Sequence, residues 1–523
     1  MGNRPMASFL VAYERSATSS KICTLYEMNL ERINKQFMNT QIYGTAIDEQ
    51  GAFRHEVKLP SGDLTVYATQ QLFSSLDYKV FDMANNNLQI PDIRYMSYTP
   101  DVHVGVGTCI GTTAVWDARS GYVSPSIVGS DIGCGMRVHM TNLHKDDLKD
   151  VKLRRKLVKA IEKVLPMEAN QRGHYSDIRL EHIVRKGLHG LPKKYIPDSY
   201  TPKKPTSLTH VESSKFAFDE SVLELVPDMT WHRAHRQLGT LGGGNHFAEI
   251  QAIEITEENR SIAEAWGLSD GQIVVMIHSG SRAWGGYVSQ MSSSAILKVM
   301  QRHGWGTSDP KLIFAPLEHA EGRHYVNMMY SALNYAVTNR HLIAYAMREA
   351  FREVFGSKCE FSTLYDLMHN YAWEEHHPEQ GRVFVHRKGA TRALPAGHTD
   401  NPKPYLTTGH PALIPGSMGT ASYIMVGQPG GADNYYSICH GAGRIRSRTA
   451  TKRLVKVEDF EAALRVGTED EIVVNQRSLE SILDESPQAY KNVDEIIESV
   501  TGAGLAQVVA KCKPLAAVKG AKS

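Results

Sequence analysis

The stretch SICHGAGRIRSR, residues 437–448, sets one histidine before a small-residue run and then three arginines in five positions. Gly441, Ala442 and Gly443 let a ligand approach the backbone closely, and glycines beside cations suit a phosphate. The run has neither the Walker A spacing nor a full GxGxxG fingerprint, so His440 needs a role that a phosphate cradle does not require. Three further histidines end apolar runs or sit in glycine-rich turns: His246 in GTLGGGNHFAEI, His278 in VVMIHSGSR and His369 in DLMHN. One histidine so placed is ordinarily structural, but four beside Gly, Asn or Ser point to chemistry at strand ends, where rigid scaffolds present reactive groups. In IVGSDIGCGMRV, Asp131 and Cys134 stand three apart among glycines that permit a tight turn. Asp131, Cys134 and three histidines suffice for a two-metal centre with a bridging thiolate. Ligand softness favours zinc, while oxygen ligands from phosphate or water would admit a harder ion such as manganese. Two cations are what phosphoryl or nucleotidyl transfer needs to neutralise charge on the attacking and leaving oxygens.

Composition narrows the setting for that chemistry. Of 523 residues, 42% are hydrophobic and 22% charged, the balance of a water-soluble globular chain. The net charge of +2 means that a nucleic-acid partner has to be held by a local basic patch. No apolar run approaches the roughly 18 residues of a membrane helix, and the early segment FLVAY is too short for a signal peptide. Met6 occupies the place where a myristoylation motif wants Ser or Thr. Six scattered cysteines without a CxxC (Cys23, Cys109, Cys134, Cys359, Cys439 and Cys512) fit reduced thiols in a cytoplasmic protein, each by default a small buried hydrophobe.

The elements that must position these residues are legible in part. Helices are expected over 154–165, over 331–355, where long apolar spacing runs without Gly or Pro, and in the charged stretches from about Val457 on. QIVVMI (272–277), RVFV (382–385), YIMVG (423–427) and YYSIC (435–439) read as strands bounded by Gly and Pro. Lys186–Pro205, rich in Pro, Gly, Lys and Tyr, reads as an exposed loop or insertion. Strands and helices do not alternate cleanly, which favours an α+β fold with central sheets flanked by helices. Length alone allows roughly two to four domains. The reactive residues spread from 101 to 519, which favours one integrated catalytic domain over 1–523.

Nine motifs in order resemble the RtcB-type RNA ligases. They are PDVHVGVG (100–107), SDIGCGMR (130–137), GTLGGGNHFAEI (239–250), IHSGSR (277–282), MHN (368–370), VHRKGATRALP (385–395), IPGSMGTASY (414–423), CHGAGR (439–444) and VKG (518–520). The resemblance runs from about residue 85 to 520. It departs from the commoner wording where AWGG follows HSGSR, where MHN replaces SHN and where SDIGCG stands for FDINCG, yet every metal ligand survives.

The resemblance implies a GTP- and manganese-dependent ligase that joins an RNA 3′-phosphate or 2′,3′-cyclic phosphate to a 5′-hydroxyl. By it, Asp131, Cys134 and His246 hold one manganese, and Cys134, His278 and His369 the second. His440 is the nucleophile that carries GMP, and Asp101 orients its ring. The guanylate pocket comprises Asn245, His246, Phe247, Ala248 and Glu249, then His369 and Asn370, then Pro415, Gly416, Ser417, Met418 and Ser422. His440, Gly441, Ala442, Gly443, Tyr490 and Lys519 complete it. An activating partner protein of the archease type is implied as well. Arg282, Arg387, Lys388, Arg392, Arg444, Arg446 and Arg448 are expected to track the RNA backbone or bind its terminal phosphate. EEHHPE (374–379) looks like a metal cluster but lies in no motif, and reads as solvated surface. Two rival readings are a metal-dependent phosphodiesterase or phosphatase acting on RNA ends, and a non-catalytic RNA-binding subunit.

Overall fold

The computed structural model describes residues 45–47, 53–167, 173–196, 208–465, 472–475 and 479–520. Helices and strands are mixed, as an α+β fold requires, around two large sheets. In the first sheet the strands lie in the order Thr45–Ile47, Arg54–Leu59, Gly62–Tyr67, Tyr95–His103, Ile110–Asp117, Gly381–Lys388, Asn370–His377. Only Gly62–Tyr67 and Tyr95–His103 pair in parallel; the other neighbours are antiparallel. In the second the main path is Phe361–Met368, Gly135–His144, Gln272–Ser279, Phe247–Ile255, Ala506–Val518, Ser422–Gly427, Pro411–Ile414. Asp101 lies near the end of a first-sheet strand, and Cys134, His246 and His278 gather at one end of the second sheet. His369 is the hinge between the sheets: Met368 ends a strand of one and Asn370 begins a strand of the other.

The helices form where apolar spacing and caps agree. Val151–Val164 is capped by the Asp150 carboxylate, which accepts from the Lys152 N–H, and it buries Leu157, Val158, Ala160 and Ile161 on one face. The long expected helix is real and extends further toward the N-terminus, as Ala320–Phe355, stopping at Gly356, whose φ is 89°. Its middle is buried all round, so its polar residues have internal work. The Asn334 amide donates to the carbonyls of Val184 and Phe216, each at 2.9 Å.

Three expectations need correction. The charged C-terminal region is not wholly helical: after the helices Val457–Ala463 and Val493–Gly502 comes the 13-residue strand Ala506–Val518, inside the second sheet. Alternating Lys and apolar residues there satisfy a strand between two neighbours, and tertiary pairing decided it. Within Lys186–Pro205, Leu188, Leu191 and Tyr195 are buried in the largest core, so this part is no exposed loop; 197–205 lie outside the described residues. Of YYSIC only Ser437–Cys439 is strand, because Tyr435 and Tyr436 take φ of 48° and 55°. Among the described residues, no helix is long and apolar enough to cross a membrane.

Candidate active site

A tight turn builds the centre of the site. Gly129 and Gly133 take φ of 88° and 71°, and a Cβ at Gly133 would press on Ala336 of the long helix. The turn closes with the Cys134 N–H donating to the Asp131 carbonyl at 3.0 Å. Cys134 Sγ then lies 3.2 Å from His278 Nε2 and 3.6 Å from His246 Nε2. His246 Nε2 is 2.9 Å from Asp131 Oδ2, and His278 Nε2 is 3.3 Å from His369 Nε2. Two ligand sets result, Asp131–Cys134–His246 and Cys134–His278–His369, each with donor atoms within 4.8 Å of one another and sharing the thiol.

The tautomers show what this cluster fits. His246 Nδ1 donates to the Leu241 carbonyl at 3.1 Å, and His278 Nδ1 to the Asn245 carbonyl at 3.0 Å. Their Nε2 atoms therefore present bare lone pairs inward, the orientation a carbonyl partner imposes on a metal-binding histidine. Burial, then neighbouring histidines, pushes His278 and His369 well below the ordinary histidine range, so both stay neutral. Burial and the Asp131 charge push the Cys134 thiol up. Lone pairs and a thiol converging in a buried site repel or waste their bonds unless cations lie between them, and the set suits two.

His440 stands at the edge of this cluster, its ring centroid 5.0 Å from that of His369. Asp101 is fully buried, and its Oδ2 lies 2.5 Å from His440 Nδ1 and accepts the His440 backbone N–H at 3.1 Å. The other oxygen accepts from the Thr99 hydroxyl at 2.6 Å. Burial alone would lift the Asp101 carboxyl, but His440, Thr99 and His103 bring it below its ordinary value. With Nδ1 set against Asp101, Nε2 is the ring nitrogen of His440 left to face a ligand.

The remaining expected residues are held by backbone and side chain in different ways. A Cβ at Gly441 would press on the Pro415 carbonyl, and Ser422 Oγ accepts from the Gly416 N–H at 3.1 Å and from the Gln251 amide at 3.0 Å. The same amide donates to Glu249 at 2.5 Å, and burial lifts that carboxyl to about 7. The Ser417 N–H donates to Thr420 Oγ1 at 2.7 Å. Asn370 Nδ2 donates to the Asp131 carbonyl at 3.1 Å, tying the pocket to the metal turn. Lys519 is buried, with its Nζ 3.6 Å from Glu485 and 5.8 Å from the Phe247 ring centroid. Tyr490 donates to Glu485 at 2.5 Å and accepts from Arg444 at 3.1 Å. The side chains of Ala248, Met418 and Ala442 pack in apolar clusters. Glu485 was missed: SILDESPQAY carries no motif, yet its buried carboxylate lies among Arg444, Arg448, Tyr490 and Lys519.

The family model described as tRNA-splicing ligase RtcB matches residues 83–520, nearly the whole span that carries these groups. The chain belongs to the RtcB family. The tRNA-splicing ligase RtcB of Thermococcus kodakarensis is 37% identical over 468 residues, covering 87% of this chain and 94% of the relative. That of Pyrobaculum aerophilum is 38% identical over 444 residues, covering 82% and 88%. That of Archaeoglobus fulgidus is 35% identical over 465 residues, covering 87% and 94%.

The cations of the chain divide sharply. Arg387 and Arg392 do not track a ligand backbone: both are buried, Arg387 paired with Glu375 and Arg392 with Glu212 at 3.1 Å. Lys388 is also internal, its ammonium donating to the carbonyls of Val106, Thr108 and Ser126 at 2.9–3.0 Å. The reading of EEHHPE as solvated surface holds for Glu374, His376, Pro378 and Glu379 but not for the alternate positions, since Glu375 is the buried partner of Arg387 and His377 is buried against the Ala432 carbonyl. Arg282, Arg444 and Arg448 are half-buried and Arg446 is exposed. The Arg282 guanidinium packs over Gly242 and that of Arg448 over Gly244, so two distant loops bring positive charge to one glycine run beside His246. Of the five cysteines described, all are buried and Cys134 alone joins a ligand set.

Proposed function

We propose that this chain is a GTP- and manganese-dependent RNA ligase, joining RNA 3′-phosphate or 2′,3′-cyclic phosphate ends to 5′-hydroxyl ends in tRNA splicing or RNA repair. The observation that carries the reading is the Asp101–His440 pair set against a double ligand cluster that shares Cys134, in a chain of the RtcB family. Asp131, Cys134 and His246 would hold one manganese, and Cys134, His278 and His369 the other. The ions supply charge neutralisation for the phosphates that react beside them.

The residues of the chain then have distinct tasks. Asp101 holds Nδ1 of His440, so Nε2 attacks the α-phosphorus of GTP and pyrophosphate leaves. The Nε2–P bond forms as the α–β bridging P–O bond breaks, giving a GMP-histidine. An oxygen of the RNA 3′-phosphate next takes GMP from His440, giving an RNA(3′)pp(5′)G end. The 5′-hydroxyl of the second RNA attacks the 3′-phosphorus, loses its proton and expels GMP. A cyclic phosphate end is hydrolysed to a 3′-phosphate beforehand. Arg282 and Arg448 supply fixed positive charge at the Gly242–Gly244 run, where phosphates of either substrate would lie. The guanylate sits among Glu249, Ser422, Tyr490 and Lys519.

The ligase domain in this reading spans 1–523, supported by strands Thr45–Ile47 and Arg54–Leu59, which extend the sheet that carries Asp101. A cytoplasmic location and an archease-type activator complete the proposal. Incubation with manganese and α-labelled GTP tests it. Acid-labile label is expected on the wild-type chain and none on His440→Ala. Label on His440→Ala, or none on the wild type, refutes the assignment.

A further inference from the structure

Asp101 is gripped by a residue that no motif contains. The ammonium of Lys491 donates to the carbonyls of Pro100 at 2.9 Å and Val102 at 2.7 Å, the residues on either side of Asp101. The Lys491 backbone N–H donates to the Gly443 carbonyl at 2.9 Å, three residues beyond His440. The two segments already touch: a Cβ at Gly443 would collide with the Asp101 carbonyl oxygen. One residue thus ties the strand end that carries the carboxylate to the loop that carries the histidine. Further along, Lys388 grips the same segment through Val106 and Thr108.

The arrangement is costly. Lys491 is half-buried, and loss of water around its ammonium pushes it down to about 8, against the Asp101 charge, which raises it. A lysine serving only as packing would keep its charge in water.

We propose that Lys491 is a positioning residue for the nucleophile: it fixes the peptide carbonyls flanking Asp101 and the Gly443 peptide, so the carboxylate stays against His440 Nδ1 and Nε2 stays aimed at the incoming phosphorus. This rests on the reading of His440 as the GMP carrier, and the test separates the two.

The full-length chain is compared with Lys491→Met and Lys491→Arg. At saturating GTP and manganese, Lys491→Met is expected to label itself about ten- to a hundred-fold more slowly with unchanged GTP affinity. Lys491→Arg, which keeps charge and donors, recovers part of the rate. Sealing of an RNA supplied with a preformed 3′-ppG end stays at the wild-type rate in both, because that step does not use His440 as nucleophile. Labelling within about twofold of wild type in Lys491→Met overturns the proposal. So does a proportional loss of labelling and sealing, which would mark a general structural role.

Amide hydrogen exchange at 101–104 and 440–443 provides a readout independent of nucleotide chemistry. Exchange is expected to quicken in Lys491→Met and less so in Lys491→Arg. Unchanged exchange sinks the grip even if His440 is the carrier. Quickened exchange in a chain that never takes label upholds the grip and removes the function assigned to it.

Discussion

Lys519 offers the sharpest test of the pocket, because its position near the chain end suggests a dispensable residue and its surroundings contradict that. Asn475 brackets its backbone, accepting from the Lys519 N–H at 2.9 Å and donating to its carbonyl at 3.1 Å. Gly520 bridges to Gly243 beside the ligand loop. Burial holds the ammonium below its ordinary value, against Glu485 and Glu249, which raise it. Removing the cation leaves the Glu485 carboxylate with Arg444, Arg448 and Tyr490, so the loss falls short of the full cost of an orphaned buried charge. A destabilisation of about 1–3 kcal/mol follows for Lys519→Met, which keeps the apolar stem over Phe247. Loss of a charged contact to guanylate in the transition state should slow self-labelling about ten- to a hundred-fold. Truncation after Val518 should cost more stability than Lys519→Met, since the Asn475 and Gly243 contacts go as well. The assays are thermal unfolding and the rate of label uptake from α-labelled GTP at saturating manganese. A folded Lys519→Met that labels at the wild-type rate refutes the reasoning and removes Lys519 from the pocket.

His440→Ala should lose all labelling yet seal RNA bearing a preformed 3′-ppG end; a folded variant that cannot seal it would show that the order of steps is wrong. Cys134→Ser should bind less manganese than Asp131→Asn, measured as metal content after reconstitution, because the thiolate belongs to both ligand sets; equal content would count against a shared ligand. Glu249 has its carboxyl lifted to about 7 from 4.5, so the folded chain retains a proton that the unfolded chain releases. That contribution is complete below pH 4.5 and is lost as pH rises toward 7, at a cost of up to about 3 kcal/mol. Thermal unfolding of metal-free protein should therefore weaken more over this window in wild type than in Glu249→Gln, and parallel profiles would contradict the burial argument.

The candidate ligands and nucleophile are legible in short stretches of the chain. His278 and His369 end apolar runs and His246 sits in a glycine-rich turn, Asp131 and Cys134 share a glycine turn, and His440 precedes GAG; each environment is local, so it is visible in a few neighbouring letters. The long helix was legible for the same reason, since an apolar stretch without Gly or Pro has few other conformations. Tertiary structure decided which charges are internal. Arg392 and Glu212 are 180 residues apart, and nothing near either one announces that the other will neutralise it. Lys519 follows a strand that pairs with Phe247–Ile255, and only that register carries it to Phe247 and Glu485. Lys491 and Lys388 resemble any surface lysine until the loop from Pro100 to Thr108 folds over their ammonium groups. A local pattern fixes which atoms can react, whereas the desolvation of a charge depends on every element packed against it, and that is settled only when distant strands meet.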